Sequence, residues 1–468
     1  MIPPASRYSR STRFAGLLRG VIVASTALST SASGQEAAPT SVATRHAVLG
    51  AVELPRAWQE SFWKSAQAEA LLKLTPKQLA DLVPTQSGLR FCRCPACGAG
   101  EREDPLAWDI AKSKVVKCRR CGVEVPNDAL PAKPTGAKTI PEEKVEVLPG
   151  AWQSYPYHAV EAEKASYPDE RLYLAAKRDY EARAFLAKAA FYAAVAASEP
   201  DPAHRDPRMA PIACTLILRF AQVYPAYATH YDHPGAAKQL MPARMAPPYQ
   251  RGYRVGKWEW NGSLEVPMNL VLAYSLVRDD PAWRAAGELL GCVHPARTVE
   301  RDFFQASAEL ARRQPEEFTE DSLRVYRGML AVGRLIEDQD LMRSALARVE
   351  EFTRRGFYHD GFWRTADVRS HRRVLGQLDG WIEGILDAAP GLAGSDRRTK
   401  LPMVDLARVA SSAVASRPPD SQIQQTSWPS MPNIEPNRRP LLLGGAGLAR
   451  LAVGDHDQSL DIELRGQD

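Results

Sequence analysis

"PDERLYLAAKRDYEARAFLAKAAFYAAVAAS", residues 168–198, decides the class of the fold. Alanine, the strongest helix former, recurs throughout, and larger apolar residues return at helical intervals. The stretch therefore predicts one long, buried helix. Segments of the same kind follow it: 210–224, 267–279, 302–314, 321–338, 339–355 and 371–387. Short connections with Asp, Gly or Pro separate several of them, which favours antiparallel helix hairpins. No fixed-length repeat marks a solenoid. A bundle, a stack and a ring of helices all fit this periodicity.

Outward from that region the composition changes. Residues 1–34 carry Arg7, Arg10, Arg13 and Arg19, then the weakly apolar "FAGLLRGVIVASTAL" and the small residues "STSASGQ". This pattern predicts a signal peptide and an exported mature protein, periplasmic or extracellular. No other segment reads as an apolar membrane span. Residues 35–89 combine a linker with N-terminal helices, among them "TPKQLADLV", where Thr75 caps and Pro76 fills the first turn. A helical domain is expected over 150–393 and a proline-rich linker over 394–438. From 439 to 468 the chain reads as strands, with Leu460, Ile462 and Leu464 alternating with polar residues. A lone hairpin is marginal in water, so these strands are expected to begin a sheet that is cut short. Sixty basic residues against 55 acidic ones leave a net charge of +5, too mild to argue for an acidic partner by itself.

Residues 90–130 hold the sharpest local signal. Cys94-Pro-Ala-Cys97-Gly and Cys118-Arg-Arg-Cys121-Gly are two CxxC turns, each followed by a glycine. Four thiolates at this spacing offer a closed tetrahedral site for a structural zinc ion. Two disulfides are the alternative, because exported proteins meet an oxidising compartment. Cys92, Cys214 and Cys292 read as bystanders. Lys112, Lys114, Lys117, Arg119 and Arg120 read as a solvated face rather than a nucleic-acid site.

The segments "KWEWNGSLEVPMNLVLAYSLV" (257–277), "RGMLAVGRLIED" (327–338), "FYHDGFWRTADVRSHRRVLGQLDGW" (357–381) and "GAGLARLAVGD" (445–455), in that order and spacing, resemble the heparinase II/III-like polysaccharide lyases. The resemblance covers most of residues 50–468. It implies a mainly α fold, with an incomplete α/α toroid, preceded by a small zinc ribbon, leading into the first strands of a β-sandwich. It also implies an acidic, uronate-containing polysaccharide as partner, with no nucleic acid and no membrane span. The family's chemistry is β-elimination. A side chain neutralises the uronate carboxylate, a base removes the C5 proton, and an acid, usually a tyrosine, assists departure of the C4 oxygen.

Asp360, Gly361 and His371 match the family's loop, and Phe362 and Trp363 fit it. Thr365, Asp367 and Ser370 stand where a glutamate, a serine and a tyrosine are usual. A serine hydroxyl neither reaches nor ionises like a phenol, so the expected acid is gone. The family's second histidine has no match either, His456 lying in the turn before the place where it belongs. His371 is the expected catalytic residue, with Tyr358 and His359 as alternative acids. Trp258, Trp260, Asn261, Trp363, Arg364 and Arg372 are the expected substrate contacts, and Tyr155, Tyr157 and His158 could line the same cleft. The leading expectation is an exported lyase homologue with a glycan-binding α/α toroid, either a fragment of an enzyme or a degenerate member that binds without cleaving. An active lyase with non-standard residues and a structural envelope protein with a zinc ribbon are the alternatives.

Overall fold

The computed structural model describes residues 41–46, 50–130, 144–148, 151–154, 157–161, 165–167, 170–199, 201, 205–240, 256–259, 262–314, 316–358, 361–365, 368–378, 441–443, 448–453 and 460–465. The signal peptide and the 394–438 linker expected from sequence lie outside these residues, as do Tyr155, Trp260, Asn261, His359, Asp360 and His456. The protein is predominantly helical, with small antiparallel sheets.

Strands β1 (Ser41–His46) and β2 (Gly50–Pro55) pair as a hairpin and lead into helices α1 (Arg56–Trp63), α2 (Ala66–Leu71) and α3 (Pro76–Leu82). Thr75 and Gln78 close a reciprocal capping box at the start of α3, with Pro76 at its first position. This satisfies donors that a helix start leaves open. The cysteine module follows as a three-stranded antiparallel sheet of β3 (Leu106–Trp108), β4 (Val116–Cys118) and β5 (Glu124–Val125). Two short hairpins come next, β6 (Lys144–Leu148) with β7 (Ala151–Ser154), and β8 (Val160–Glu161) with β9 (Arg171–Leu172).

Helix α4 (Leu174–Ala197) is the long alanine-rich helix. Its alanines let neighbours approach closely, and α5 (Met209–Val223) and α6 (Met268–Val277) pack directly on it. Between α5 and α6 lies the short pair β10 (His230–Tyr231) and β11 (Gln239–Leu240). Helix α5 is apolar on all sides because α3, α4, α6 and α7 (Ala282–Leu290) surround it. By length and composition Met209–Ala226 could cross a membrane, the one such stretch among the described residues, and 67% of it is buried inside the protein. Its burial among these helices accounts for that composition equally well.

Helices α8 (Pro295–Arg297) and α9 (Ala306–Arg312) are joined without a break by a π-helical stretch, Thr298–Gln305. Helices α10 (Ser322–Leu335) and α11 (Gln339–Gly356) form an antiparallel-type hairpin contact, and Asp338 caps α11 by accepting from the amides of Asp340 and Leu341. Helix α12 (Val368–Gln377) follows the aromatic loop. Strands β12 (Leu441–Leu443), β13 (Leu448–Val453) and β14 (Leu460–Arg465) form one antiparallel sheet, so the strand reading of 439–468 gains a third strand.

One apolar core runs through the helices and into the cysteine module. Leu106, Trp108, Val116 and Val125 belong to the same cluster as Leu186, Phe220, Leu270 and Tyr326. Trp108 packs against Phe185 of α4, and its main-chain carbonyl accepts from Gln67 of α2. Gly88 presses onto α4 so closely that a Cβ there would lie 2.2 Å from the Tyr180 amide nitrogen.

Candidate functional site

The two CxxC turns fold alike. In the first, the Cys94 amide donates to the Ala99 carbonyl and the Gly98 amide to the Cys94 carbonyl. In the second, Cys118 and Gly122 make the same bonds to Val123 and Cys118. Gly98 at φ 67° and Gly122 at φ 77° sit in the left-handed region, which glycine enters without steric cost. Such a turn aims backbone amides at sulfur, and the Arg120 amide lies 3.4 Å from Cys118 Sγ.

The four sulfurs of Cys94, Cys97, Cys118 and Cys121 lie within 4.8 Å of one another. Cys94 and Cys121 are 3.7 Å apart, and Cys97 and Cys118 are 3.8 Å apart. Tetrahedral coordination at a metal–sulfur distance of ~2.3 Å separates sulfurs by roughly 3.8 Å. A disulfide would require ~2.05 Å, and all seven cysteines are free thiols. The group can therefore hold a metal ion. Burial pushes the Cys94 thiol up to about 12. Burial also raises Cys118, but amide donors from Cys121 and Arg120 outweigh it and hold that thiol down at about 7. Four sulfur ligands would leave a tetrahedral metal ion no open position.

The aromatic loop is a tight turn with its rings turned inward. The Tyr358 amide donates to the Phe362 carbonyl, the Gly361 amide to the Tyr358 carbonyl, and the Arg364 amide to the Gly356 carbonyl. His371 is 0% exposed, stacks on Phe362 at 4.5 Å and 7°, and accepts at Nδ1 from the Trp363 amide. Trp363 is also fully buried, stacked on Phe352 and edge-on to Phe357. The Tyr358 hydroxyl donates to the Arg364 carbonyl, and the Arg364 guanidinium donates to the Glu317 carbonyl. Arg373 pairs with Glu320. Arg372 is half-buried, whereas Arg369 is exposed.

Trp258 is likewise enclosed. Arg183 lies 4.4 Å over its ring, and Tyr227, Phe220 and Phe303 pack around it. Trp258 and Trp363, two of the expected substrate contacts, are thus both buried in the apolar core. The physical reason is shared: each indole fills space between helices. Tyr157 donates to Asp179 on α4, and His158 lies nearby in sequence at intermediate exposure. The structure brings His371, Trp363, Tyr358 and Arg364 together, and Trp258 packs against Arg183 elsewhere in the same apolar core.

Sequence reasoning passed over the buried charges. Arg183 of α4 pairs with Glu259 at 2.9 Å and donates to the Ser87 carbonyl. The Tyr180 hydroxyl also faces Glu259, and burial raises its phenol well above the ordinary range. Glu265 is fully buried and accepts from the Tyr224 hydroxyl and from the amides of Lys257 and Trp258. Burial raises Glu265 to about 7 despite those donors. The one available signal was charge inside an alanine-rich helix, where Lys177 and Arg183 need partners if that helix is buried.

No family model, curated protein or solved structure matches this chain.

Proposed function

We propose that the chain is an exported, non-catalytic homologue of the heparinase II/III-like lyases that binds an acidic polysaccharide. In this reading Cys94, Cys97, Cys118 and Cys121 hold one structural zinc ion. The observation that carries it is the state of His371. This histidine, the one that matches the family's loop, is fully buried under Phe362 with Nδ1 engaged by the loop's own backbone. A general acid or base must come within hydrogen-bond reach of the proton it moves. With Ser370 in the tyrosine position and the Tyr358 hydroxyl donating to Arg364, no phenol in the described loop stands ready to replace it. Binding rests on other groups, the arginines 364, 369, 372 and 373, which suit carboxylate and sulfate recognition.

Elimination from a uronate creates a C4–C5 double bond conjugated to the carboxylate, and ultraviolet absorbance follows it. The purified chain should give no such product from heparan-, chondroitin- or alginate-type polymers. It should retain binding to one of them that weakens as salt is raised, and should contain about one zinc per chain. Unsaturated product that disappears in His371→Ala would overturn the non-catalytic reading. Absence of binding to every acidic polymer would favour a structural envelope protein instead.

A further inference from the structure

The cysteine module is held to the helical body by charge as well as by its apolar face. Glu101, in the 3-10 turn after the first knuckle, is buried. Its carboxylate accepts from the Tyr167 hydroxyl at 3.0 Å and the Gly235 amide at 2.7 Å, and pairs with Lys238 at 3.0 Å. Lys238 also lies 3.3 Å from Asp232, which accepts from the amides of Arg90 and Phe91. Asp104 pairs at 2.5 Å with Lys177, a fully buried residue in the first turn of α4. Lys177 also meets Glu181 at 2.6 Å and the Arg90 carbonyl at 3.0 Å. Arg93, beside the first cysteine, pairs with buried Glu170 at 2.7 Å.

These contacts of Arg93, Glu101 and Asp104 join the module to residues 66 or more positions away, whereas Lys177–Glu181 and Lys238–Asp232 lie within the body that receives it. A buried charge is tolerable only while its partner is in place, and removing one partner is strongly destabilising. The strands β3, β4 and β5 span only two or three residues each, too little to fix the positions of Glu101 and Asp104 unaided. Both carboxylates lie in the segment between the two knuckles, so whatever fixes the knuckles fixes them.

We infer that metal occupancy of the cysteine site controls the order of this polar seam, and through it the first half of α4 and the 230–240 hairpin. The inference rests on the zinc reading given above. Metal loss frees the knuckles, draws Glu101 and Asp104 away from Lys238 and Lys177, and leaves two buried ammonium groups without one of their carboxylates. The device is a metal-dependent latch between the module and the helices.

Hydrogen exchange on the full-length protein, metal-replete and after chelation, tests this. Exchange should rise roughly a hundredfold in Leu174–Arg183 and in 230–240, as expected when buried charges lose their partners. Helices α10 and α11 should keep their protection. A rise confined to 91–125, or one spread evenly over every helix, would overturn the latch. Glu101→Gln supplies the second arm, because it leaves all four cysteines in place. It should keep about one zinc per chain and still loosen 230–240, and unchanged exchange there would also overturn the latch. Elemental analysis before chelation separates the two readings: a preparation without metal sinks the zinc assignment itself, and the latch with it.

Discussion

Glu265 shows what burial does to a single side chain here. Its two oxygens are both engaged, one by the Tyr224 hydroxyl at 2.5 Å and the other by the Lys257 and Trp258 amides at 2.8 and 2.9 Å. Burial nevertheless raises it from an ordinary 4.5 to about 7. Between those values the folded chain holds a proton that the unfolded chain has released. Stability should therefore fall as pH rises through that window and level off above it. Glu265→Gln is a close mimic of the protonated form: its carbonyl can accept from the two amides while its NH2 faces the Tyr224 oxygen. Urea midpoints measured from pH 4 to 8 should show the wild-type decline and, for the variant, the loss of that decline. Parallel curves for the two proteins would mean that Glu265 does not titrate in this range. Little of this was legible in "KWEWNGSLEVP": Lys257 and Trp258 lie within it, but the Tyr224 hydroxyl comes from the end of α5, and the burial that raises Glu265 is set by the packed fold. The burial of Trp258 and Trp363 was hidden for a related reason. A tryptophan in a loop has the same sequence signature whether its ring meets solvent or a helix. The CxxC turns were legible because their chemistry is local, each within five residues.

At the scale of elements, α4 was readable in type and at its C-terminal end, whereas it begins at Leu174, after strand β9, rather than at 168. Alanine content and apolar spacing act within the helix itself. What escaped was the orientation of its charges. Lys177 and Arg183 point into the protein, and although Lys177 also meets Glu181 one turn on, the Asp104 and Glu259 carboxylates lie 73 and 76 residues away. Arg183 is 1% exposed, lies over both Tyr180 and Trp258, and pairs with Glu259. Arg183→Met should destabilise by about 3–5 kcal/mol, because it leaves the Glu259 carboxylate buried without its cation. Adding Glu259→Gln should recover part of that loss, giving a coupling of about 1–3 kcal/mol in a double-mutant cycle. Strictly additive single and double variants in denaturant titrations would show that the pair does not lock α4 to the 256–265 segment. The same reasoning explains why α10 and α11 were easier to read: their stabilising contacts are between neighbours in sequence, with Asp338 capping the second helix from the turn between them.

For the whole molecule, the sequence divides the chain at composition changes, and the structure joins pieces across one of them. Residues 90–130 read as a separate module because a proline- and charge-rich stretch follows them. Yet Leu106, Trp108, Val116 and Val125 share a single apolar cluster with α4 and α5, and three ion pairs bridge the same boundary. Composition reports where a chain leaves an element, whereas packing depends on where it returns. A module that owns no core of its own should stay attached when the covalent link is cut. A specific protease site placed between Pro134 and Lys138 puts this to a direct test. After cleavage, the N-terminal fragment carrying Cys94 to Cys121 should co-elute with the helical remainder in native buffer, since α1, α2 and α3 travel with it and α3 packs on α5. In denaturant the two pieces should separate. If the N-terminal fragment instead elutes alone under native conditions, the shared core and its ion pairs are too weak to unite the molecule, and the module is the independent domain that its composition implies.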